Sequence, residues 1–207
     1  FNNILARQAF DLALNKQLLV QTVLGGTAFA SNHMIPQGEF DYNAGLKAPD
    51  GTQTLTGNQT QATQDWSQYK SQNCQGAQAA TNCPATITLD APNDSVNTKL
   101  ASVLQGQWQQ ALGVTVKVKL MTFPQLIGIL IGPNSGKPQL WDIGYSVDFP
   151  QGWDWTSLQA EPGAGNNLSS INDTAANALM TQADATTNQT AATPLYQQAE
   201  QQLVTDV

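Results

Sequence analysis

Three aspartates and several aromatic side chains stand close together in residues 141–155, WDIGYSVDFPQGWDW. Only 11% of the chain is charged, so carboxylates beside indoles are an unusual local feature. Two carboxylates that flank a sugar, with indoles to stack on it, would suit glycoside hydrolysis. Asp148 and Asp154, beside Trp153 and Trp155, therefore indicate a hydrolase site, a binding site, or a solvated turn at the end of a strand.

Other catalytic motifs are weakly supported. His33 is the only histidine, and it stands in a Pro/Gly loop without the partners of a catalytic triad. The spacing around Ser135 in GPNSG (132–136) does not match a nucleophile elbow, and no phosphate-binding or dinucleotide glycine motif occurs. We predict that the chain is not an enzyme and has no catalytic residues, metal site or cofactor.

The charge of the chain excludes one class of partner. The formal net charge is −7 and the pI is about 4.3, and no basic stripe exists to displace the counterions of a nucleic acid. No apolar run approaches the roughly 20 residues of a membrane span. We expect no nucleic-acid partner.

Cys74 and Cys83 are the only two cysteines. Their spacing does not match a CxxC redox pair, and a metal site would need further ligands. A structural disulfide that closes a small polar loop is the favoured interpretation, and it places the protein outside the cytoplasm. Two free cysteines remain the alternative.

The apolar pattern predicts alternating helices and strands. Helices are predicted over residues 4–22, 65–72, 96–112 with Ser95 as cap, 123–131, 173–185 and 194–205, and strands over 85–91, 114–120 and 141–149. The first helix would end at Gly25-Gly26, and the last would be capped by Thr193 with Pro194 at its first position. A polar insert or loop is expected over 43–64.

A strand, a helix and a strand follow one another with short connections between residues 85 and 120. This order is typical of a βαβ unit with parallel strands. Trp108 lies on the apolar stripe of the helix and is predicted to be core. The fold class is α/β or α+β, with a small mixed sheet and flanking helices.

Four stretches of the chain carry a family resemblance. In chain order they are RQAFDLALNKQLLVQTVLGGTAFASNHMIP, LASVLQGQWQQALGVTVKVKLM, WDIGYSVDFPQ and NNLSSINDTAANALMTQADATTNQTAATPLYQQAEQQLVTD. Together they resemble the extracellular solute-binding proteins of peptide-type ABC importers, the dipeptide- and oligopeptide-binding group. The chain departs from that pattern in the polar segment 50–64, in the cysteine loop, and at Pro150-Gln151-Gly152, where an acidic-proline ending is common.

The resemblance implies a two-lobed fold with ligand bound between the lobes. Residues 1–207 would be the second lobe alone, a single ligand-binding lobe whose first lobe is missing from this fragment. The protein would be the substrate-binding component of an importer, delivering a peptide or similar small solute to the ABC permease subunits in the membrane. It would be periplasmic or a cell-surface lipoprotein, with its signal segment absent here.

The resemblance also implies roles for individual residues. The carboxylate of Asp148 would pair with the α-ammonium of the ligand, and Tyr145 would line the pocket. These two residues point to opposite faces of a straight strand, so the strand must bend before Pro150. Further ligand contacts are predicted for Phe149, Trp153, Gly26 and Asn167. A sugar, a metal chelate, a secreted glycoside hydrolase and an adhesive module remain alternatives.

Overall fold

The computed structural model describes residues 1–76 and 79–206, and residues 77 and 78 of the predicted cysteine loop lie outside this range, as does residue 207. The chain divides into two compact units. Unit 1 contains Phe1–Ala30 and Thr54–Gly144, and unit 2 contains Ser31–Gln53 and Tyr145–Asp206.

Unit 1 carries the sheet and six helices in its described part. The helices are α1 Ile4–Leu12, α2 Lys16–Leu24, α3 Gln59–Asn73, α4 Ala79–Asn82, α5 Ser95–Leu112 and α6 Phe123–Leu130. The strands are β1 Ile87–Pro92, β2 Val116–Met121 and β3 Leu140–Trp141, with a short 3-10 helix at Asn134–Gly136 before β3.

The three strands form one sheet in the order β2-β1-β3. β1 pairs in parallel with β2, Ile87 opposite Val116, and in parallel with β3, Leu89 opposite Leu140. The α/β fold class and the parallel βαβ unit are confirmed. The expectation of a mixed sheet was wrong, because every strand pair in the described part of the chain is parallel.

The core of unit 1 is built around aromatic side chains from three helices. Trp108 of α5 is 5% exposed, and its indole N–H donates to the backbone carbonyl of Phe10 at 2.9 Å. The Phe10 ring lies 5.3 Å from the Trp108 ring and 5.6 Å from that of Trp66. The prediction that Trp108 is core is confirmed, and its only polar side-chain atom is satisfied.

A disulfide joins Cys74 and Cys83, as predicted. The adjoining loop is further held by side chains, since the Tyr69 hydroxyl donates to the Asn82 carbonyl and the Asn82 amide donates to the Asn73 carbonyl. The bridge therefore ties the end of α3 to α4.

The predicted first helix is two helices. α1 ends at Leu12, and α2 begins with Asn15 as its cap, whose side chain accepts the Leu18 N–H at 2.8 Å. A loop distant in sequence packs against the chain between the two helices, where the Asn58 N–H donates to the Leu12 carbonyl at 2.8 Å. Gly57 has φ +75°, and a Cβ there would lie 2.6 Å from that carbonyl. The interruption is therefore made by a tertiary contact.

The loop 55–58 also explains a second difference. The side chain of Asn58 caps α3 by accepting the Gln61 N–H at 3.1 Å. α3 therefore begins at Gln59 rather than at residue 65. Residues 59–64, the end of the segment 43–64 that was predicted to be an insert or loop, are helical.

The predicted strand 141–149 was wrong beyond its first residue. β3 is only Leu140–Trp141, and no helix or strand follows until Gly152. The Thr88 N–H of β1 points toward β3 and donates to Gln139 at 2.9 Å. Pro92, four residues on, lies on the same side and has no N–H to offer. The ladder therefore has no donor with which to continue.

Unit 2 is helical in its described part. Its helices are α7 Gly152–Trp155, α8 Ser157–Ala160, α9 Thr174–Asp184 and α10 Gln189–Asp206. α9 and α10 bury Met180 and Leu203 against each other. No helix in the described residues of either unit is long and apolar enough to cross a membrane.

The last helix begins five residues before its predicted start. The Asn188 side chain accepts the Ala191 N–H at 3.1 Å, so Asn188 rather than Thr193 supports the first turn. Pro194 lies inside α10. Thr193 also lies inside the helix and is not its cap. Its hydroxyl donates to Asp41.

Candidate ligand-binding site

One buried carboxylate organises the predicted ligand-binding segment. Asp154 in α7 is fully buried. Its Oδ1 accepts the Tyr145 hydroxyl at 2.8 Å. Its Oδ2 accepts the backbone N–H of Asp148 at 2.5 Å and that of Phe149 at 3.1 Å. The chain bends at residues 148–150, and Asp154 binds the backbone at the start of this bend. That Tyr145 and Asp148 face the same pocket stays a prediction.

The hydrogen bonds keep Asp154 ionised. Burial by itself raises the pKa of a carboxyl group, because it disfavours the charged form. At Asp154 the bonds donated by the Phe149 N–H, the Tyr145 hydroxyl and the Asp148 N–H outweigh burial, and the pKa lies below its ordinary value. Asp154 is therefore a permanent acceptor at neutral pH.

α7 is itself fixed by contacts with distant parts of unit 2. The Gly152 N–H donates to Asp41 Oδ2 at 2.8 Å, across 111 positions of sequence. A Cβ at Gly152 would lie 2.6 Å from the Tyr196 ring, so only glycine fits there without a shift. The Thr156 hydroxyl donates to the Gly152 carbonyl at 2.7 Å. The helix that carries Asp154 thus has little freedom to move.

The side chain of Asp148, unlike that of Asp154, is free, although its backbone is fixed. Its side chain is exposed, and its carboxylate forms no hydrogen bond or ion pair with any residue in the described part of the chain. A carboxylate on a fixed backbone is suited to an incoming cation, because little ordering is needed when the cation binds.

Four aromatic side chains flank Asp148 in sequence. The Tyr145 ring packs edge-on against Trp155 at 5.6 Å, and burial, with the bonded Asp154, raises the pKa of Tyr145 to about 12. Phe149 is 58% exposed and Trp153 is 36% exposed. The exposed rings of Phe149 and Trp153 offer apolar surface one and five residues after Asp148 in the sequence, whereas Tyr145 and Trp155 support each other.

Two predicted ligand contacts remain, Gly26 and Asn167. Gly26 belongs to unit 1, after α2, and is exposed with φ +81°. The Asn167 amide donates to the carbonyls of Ala160, Glu161 and Ile171, and its oxygen accepts the Ile171 N–H. Asn167 therefore organises its own loop, and its predicted ligand contact stays a prediction, as does that of Gly26.

The geometry does not favour the hydrolase interpretation. A general acid in glycoside hydrolysis needs a raised pKa and access to the sugar. Asp154 has a lowered pKa, no exposed surface and three donors on its oxygens.

Among residues 1–76 and 79–206, no group of three or more His, Cys, Asp or Glu side chains is arranged to hold a metal ion.

Charge is unevenly divided between the two units. Ten of the fifteen acidic residues belong to unit 2, but only one of the eight lysines and arginines does, Lys47. The formal charge is −9 for unit 2 and +2 for unit 1 when His33 is neutral and residue 207 is left aside. Unit 2 therefore carries a field that attracts cationic groups.

Sequence reasoning missed the structural role of Asp154 and of its supports, Asp41 and Gly152. Asp154 drew attention only as half of a catalytic pair. The one available signal was an acidic residue of an acid-poor chain placed within a cluster of aromatics, where burial is common.

Comparisons with known proteins identify the family of the chain. A family model described as bacterial extracellular solute-binding proteins, family 5 Middle, matches residues 1–167. A Pseudomonas aeruginosa protein named di/tripeptide-binding protein 1 is 25% identical over 205 residues, which are 97% of this chain and 35% of that protein.

Solved structures show the same fold. The oligopeptide-binding protein AppA of Bacillus subtilis, in complex with a nonapeptide, aligns with a TM-score of 0.80 at 21% identity, over 100% of this chain and 40% of AppA. OppA of Burkholderia pseudomallei aligns with a TM-score of 0.82 at 18% identity, over 99% of this chain and 38% of OppA. The chain thus spans well under half the length of these relatives, and its fold is that of one lobe of a periplasmic binding protein. The resemblance found in the sequence is confirmed: the chain belongs to the bacterial extracellular solute-binding proteins, family 5 Middle.

Proposed function

We propose that residues 1–207 form one ligand-binding lobe of a two-lobed solute-binding protein that captures peptides for an ABC importer. The missing first lobe supplies the remaining ligand contacts, and the permease subunits in the membrane receive the peptide. The protein acts outside the cytoplasm and performs no chemistry on its ligand.

The observation that carries this proposal is the state of Asp148. Its carboxylate is exposed and unpaired within the described residues, while its backbone is held by the buried Asp154. The α-ammonium of a peptide is a compact cation that donates up to three hydrogen bonds to such a group. The exposed rings of Phe149 and Trp153 supply apolar surface for neighbouring parts of the ligand.

Two further observations support a peptide as the ligand, and a third supports a location outside the cytoplasm. The relatives include a protein named for di- and tripeptides and another solved with a nonapeptide. The acidic charge of unit 2 favours the cationic end of a peptide. The disulfide between Cys74 and Cys83 is typical of an oxidising compartment.

The test is the substitution Asp148→Asn in the full-length, two-lobed protein. The substitution keeps the shape of the side chain but leaves the ammonium without its counter-ion. Truncating one side of a desolvated charge pair typically costs about 2 to 5 kcal/mol, so the affinity should fall roughly thirtyfold or more. Calorimetry with a mixture of tripeptides that carry free amino termini measures this change.

Two controls sharpen the result. Glu39→Gln removes one carboxylate from the same unit outside the segment 145–155, and the affinity should stay within about twofold of wild type. N-acetylation of the peptides should reproduce the loss in the wild type and add little in Asp148→Asn. If Asp148→Asn binds peptides as tightly as wild type, the amine-pairing role is wrong. If no peptide binds but a sugar does, the proposed ligand class is wrong.

A further inference from the structure

The burial of Asp154 needs a physical reason. Its carboxylate is 0% exposed, and no lysine or arginine forms an ion pair with it in the described part of the chain. An ionised carboxylate in such a place is costly unless hydrogen bonds replace its lost hydration. Here three donors do so, and all three come from one short segment, residues 145–149.

The three donors define the shape of that segment. Residues 143–151 form no helix or strand, so no regular ladder holds their backbone. The two N–H groups bound to Asp154 Oδ2 belong to Asp148 and to the residue after it, Phe149. They restrain the peptide planes on both sides of the Asp148 Cα. The direction in which the Asp148 side chain leaves the backbone is therefore set by Asp154, which does not touch that side chain.

The support behind Asp154 is rigid enough for this task. α7 is bound to Asp41 through the Gly152 N–H at 2.8 Å, and Gly152 lies directly against the Tyr196 ring. Asp41 also accepts the Thr193 hydroxyl of α10. A binding group held by such a network loses little conformational freedom when its ligand arrives.

We infer that Asp154 is a positioning residue for ligand recognition: it holds the Asp148 carboxylate where a peptide ammonium meets it. This inference rests on the proposed function. It adds a specific mechanism, in which affinity for the free amino terminus depends on a second, buried aspartate that never contacts the peptide.

The experiment is a double-mutant cycle in the full-length protein. Asp154→Ala is made in the wild type and in Asp148→Asn, and calorimetry measures the dissociation constants for tripeptides with free and with N-acetylated amino termini. With free tripeptides, Asp154→Ala should weaken binding roughly tenfold or more in the wild type, because the freed segment must be ordered on binding. In the Asp148→Asn background the same change should have an effect below about twofold.

Conservative variants separate positioning from a general structural role. Asp154→Asn should restore most of the affinity, since its Oδ1 can accept both backbone N–H groups and its amide can donate to the Tyr145 oxygen. Binding of N-acetylated tripeptides should be the same for Asp154→Ala and wild type. If Asp154→Ala does not fold, Asp154→Ser takes its place in the cycle, because one short hydroxyl cannot span the three donors.

The outcomes distinguish this inference from the proposed function. One outcome is that the wild type binds tripeptides and Asp148→Asn weakens that binding, while Asp154→Ala binds them like wild type. That result refutes the positioning role alone. An equal loss from Asp154→Ala in both backgrounds, or an equal loss for acetylated peptides, also refutes it, because the effect would not pass through Asp148. If the wild type binds no peptide, the proposed function fails and the inference fails with it.

Discussion

Glu200 offers a test of how burial affects stability in unit 2. The residue lies in α10 and is fully buried. Its Oε1 accepts the Ile35 N–H at 2.7 Å, and its Oε2 has no hydrogen-bond partner among the described residues. The Nδ1 atom of His33 lies 3.5 Å from Oε1. Burial raises the pKa of Glu200 to about 7, although the N–H groups of Ile35 and Met34 act in the opposite direction.

The difference in the Glu200 pKa between the folded and unfolded protein sets the sign and size of the pH dependence of stability. The ordinary pKa of a glutamate is 4.5, and between that value and about 7 the folded protein binds a proton that the unfolded chain does not. Stability contributed by Glu200 is therefore lost as the pH rises from 4.5 to 7 and is then constant. A shift from 4.5 to about 7 corresponds to about 3 kcal/mol, at about 1.4 kcal/mol for each pKa unit.

The perturbation is Glu200→Gln, which keeps the acceptor for the Ile35 N–H and removes the charge. Urea unfolding of the ligand-free, full-length protein at pH 5 and pH 8 measures the free energy of unfolding. The stability gained by the variant over wild type should be about 2 to 3 kcal/mol larger at pH 8 than at pH 5. Burial lowers the pKa of His33, so His33 contributes a trend of the opposite sign, which the comparison at equal pH removes.

A His33→Gln background provides the matched control. The difference in stability between Glu200→Gln and its parent should persist there, because burial and not the imidazole is the cause of the shift. An equal difference at pH 5 and pH 8 would refute the reasoning, since it would mean that Glu200 titrates in the folded protein as it does in the unfolded chain.

Two further predictions concern unit 1. Trp108→Ala should lower the free energy of unfolding by about 3 to 5 kcal/mol, because it removes a buried indole and its bond to Phe10; a melting temperature within about a degree of wild type would contradict this. Reduction of the Cys74–Cys83 bridge should cost roughly 2 to 3 kcal/mol in the chain-entropy model. Urea unfolding with and without reductant measures that cost, and intact mass after alkylation without reductant should show no alkylated thiol.

Much of the fold of unit 1 was predictable because its elements follow local patterns. The alternation in β1 and β2 and the apolar stripe of α5 report the period of the backbone itself. The helix ends at Gly113, which adopts φ +67° as a left-handed cap requires. The cysteine pair and the core position of Trp108 were also predictable, since each depends on residue type and spacing within a short stretch.

Two of the errors in the fold come from contacts between distant parts of the chain. The first helix is divided where the Asn58 N–H donates to the Leu12 carbonyl, 46 positions away in sequence. β3 stops early because its partner strand ends in Pro92, which removes a donor on the shared side. Periodicity within 141–149 carried no information about either the partner strand or its proline.

The candidate site divides in the same way. The sequence by itself determined the family, the α/β class, the disulfide partners and the segment in which Asp148 stands among aromatics. Only the tertiary structure decided that Asp154 is buried beneath that segment, that Asp41 and Tyr196 fix the helix carrying it, and that Asp148 is left free. The reason is physical: a residue's period along the chain is a local property, whereas its burial and its hydrogen-bond partners depend on distant chain segments, such as Asp41, 111 positions from Gly152.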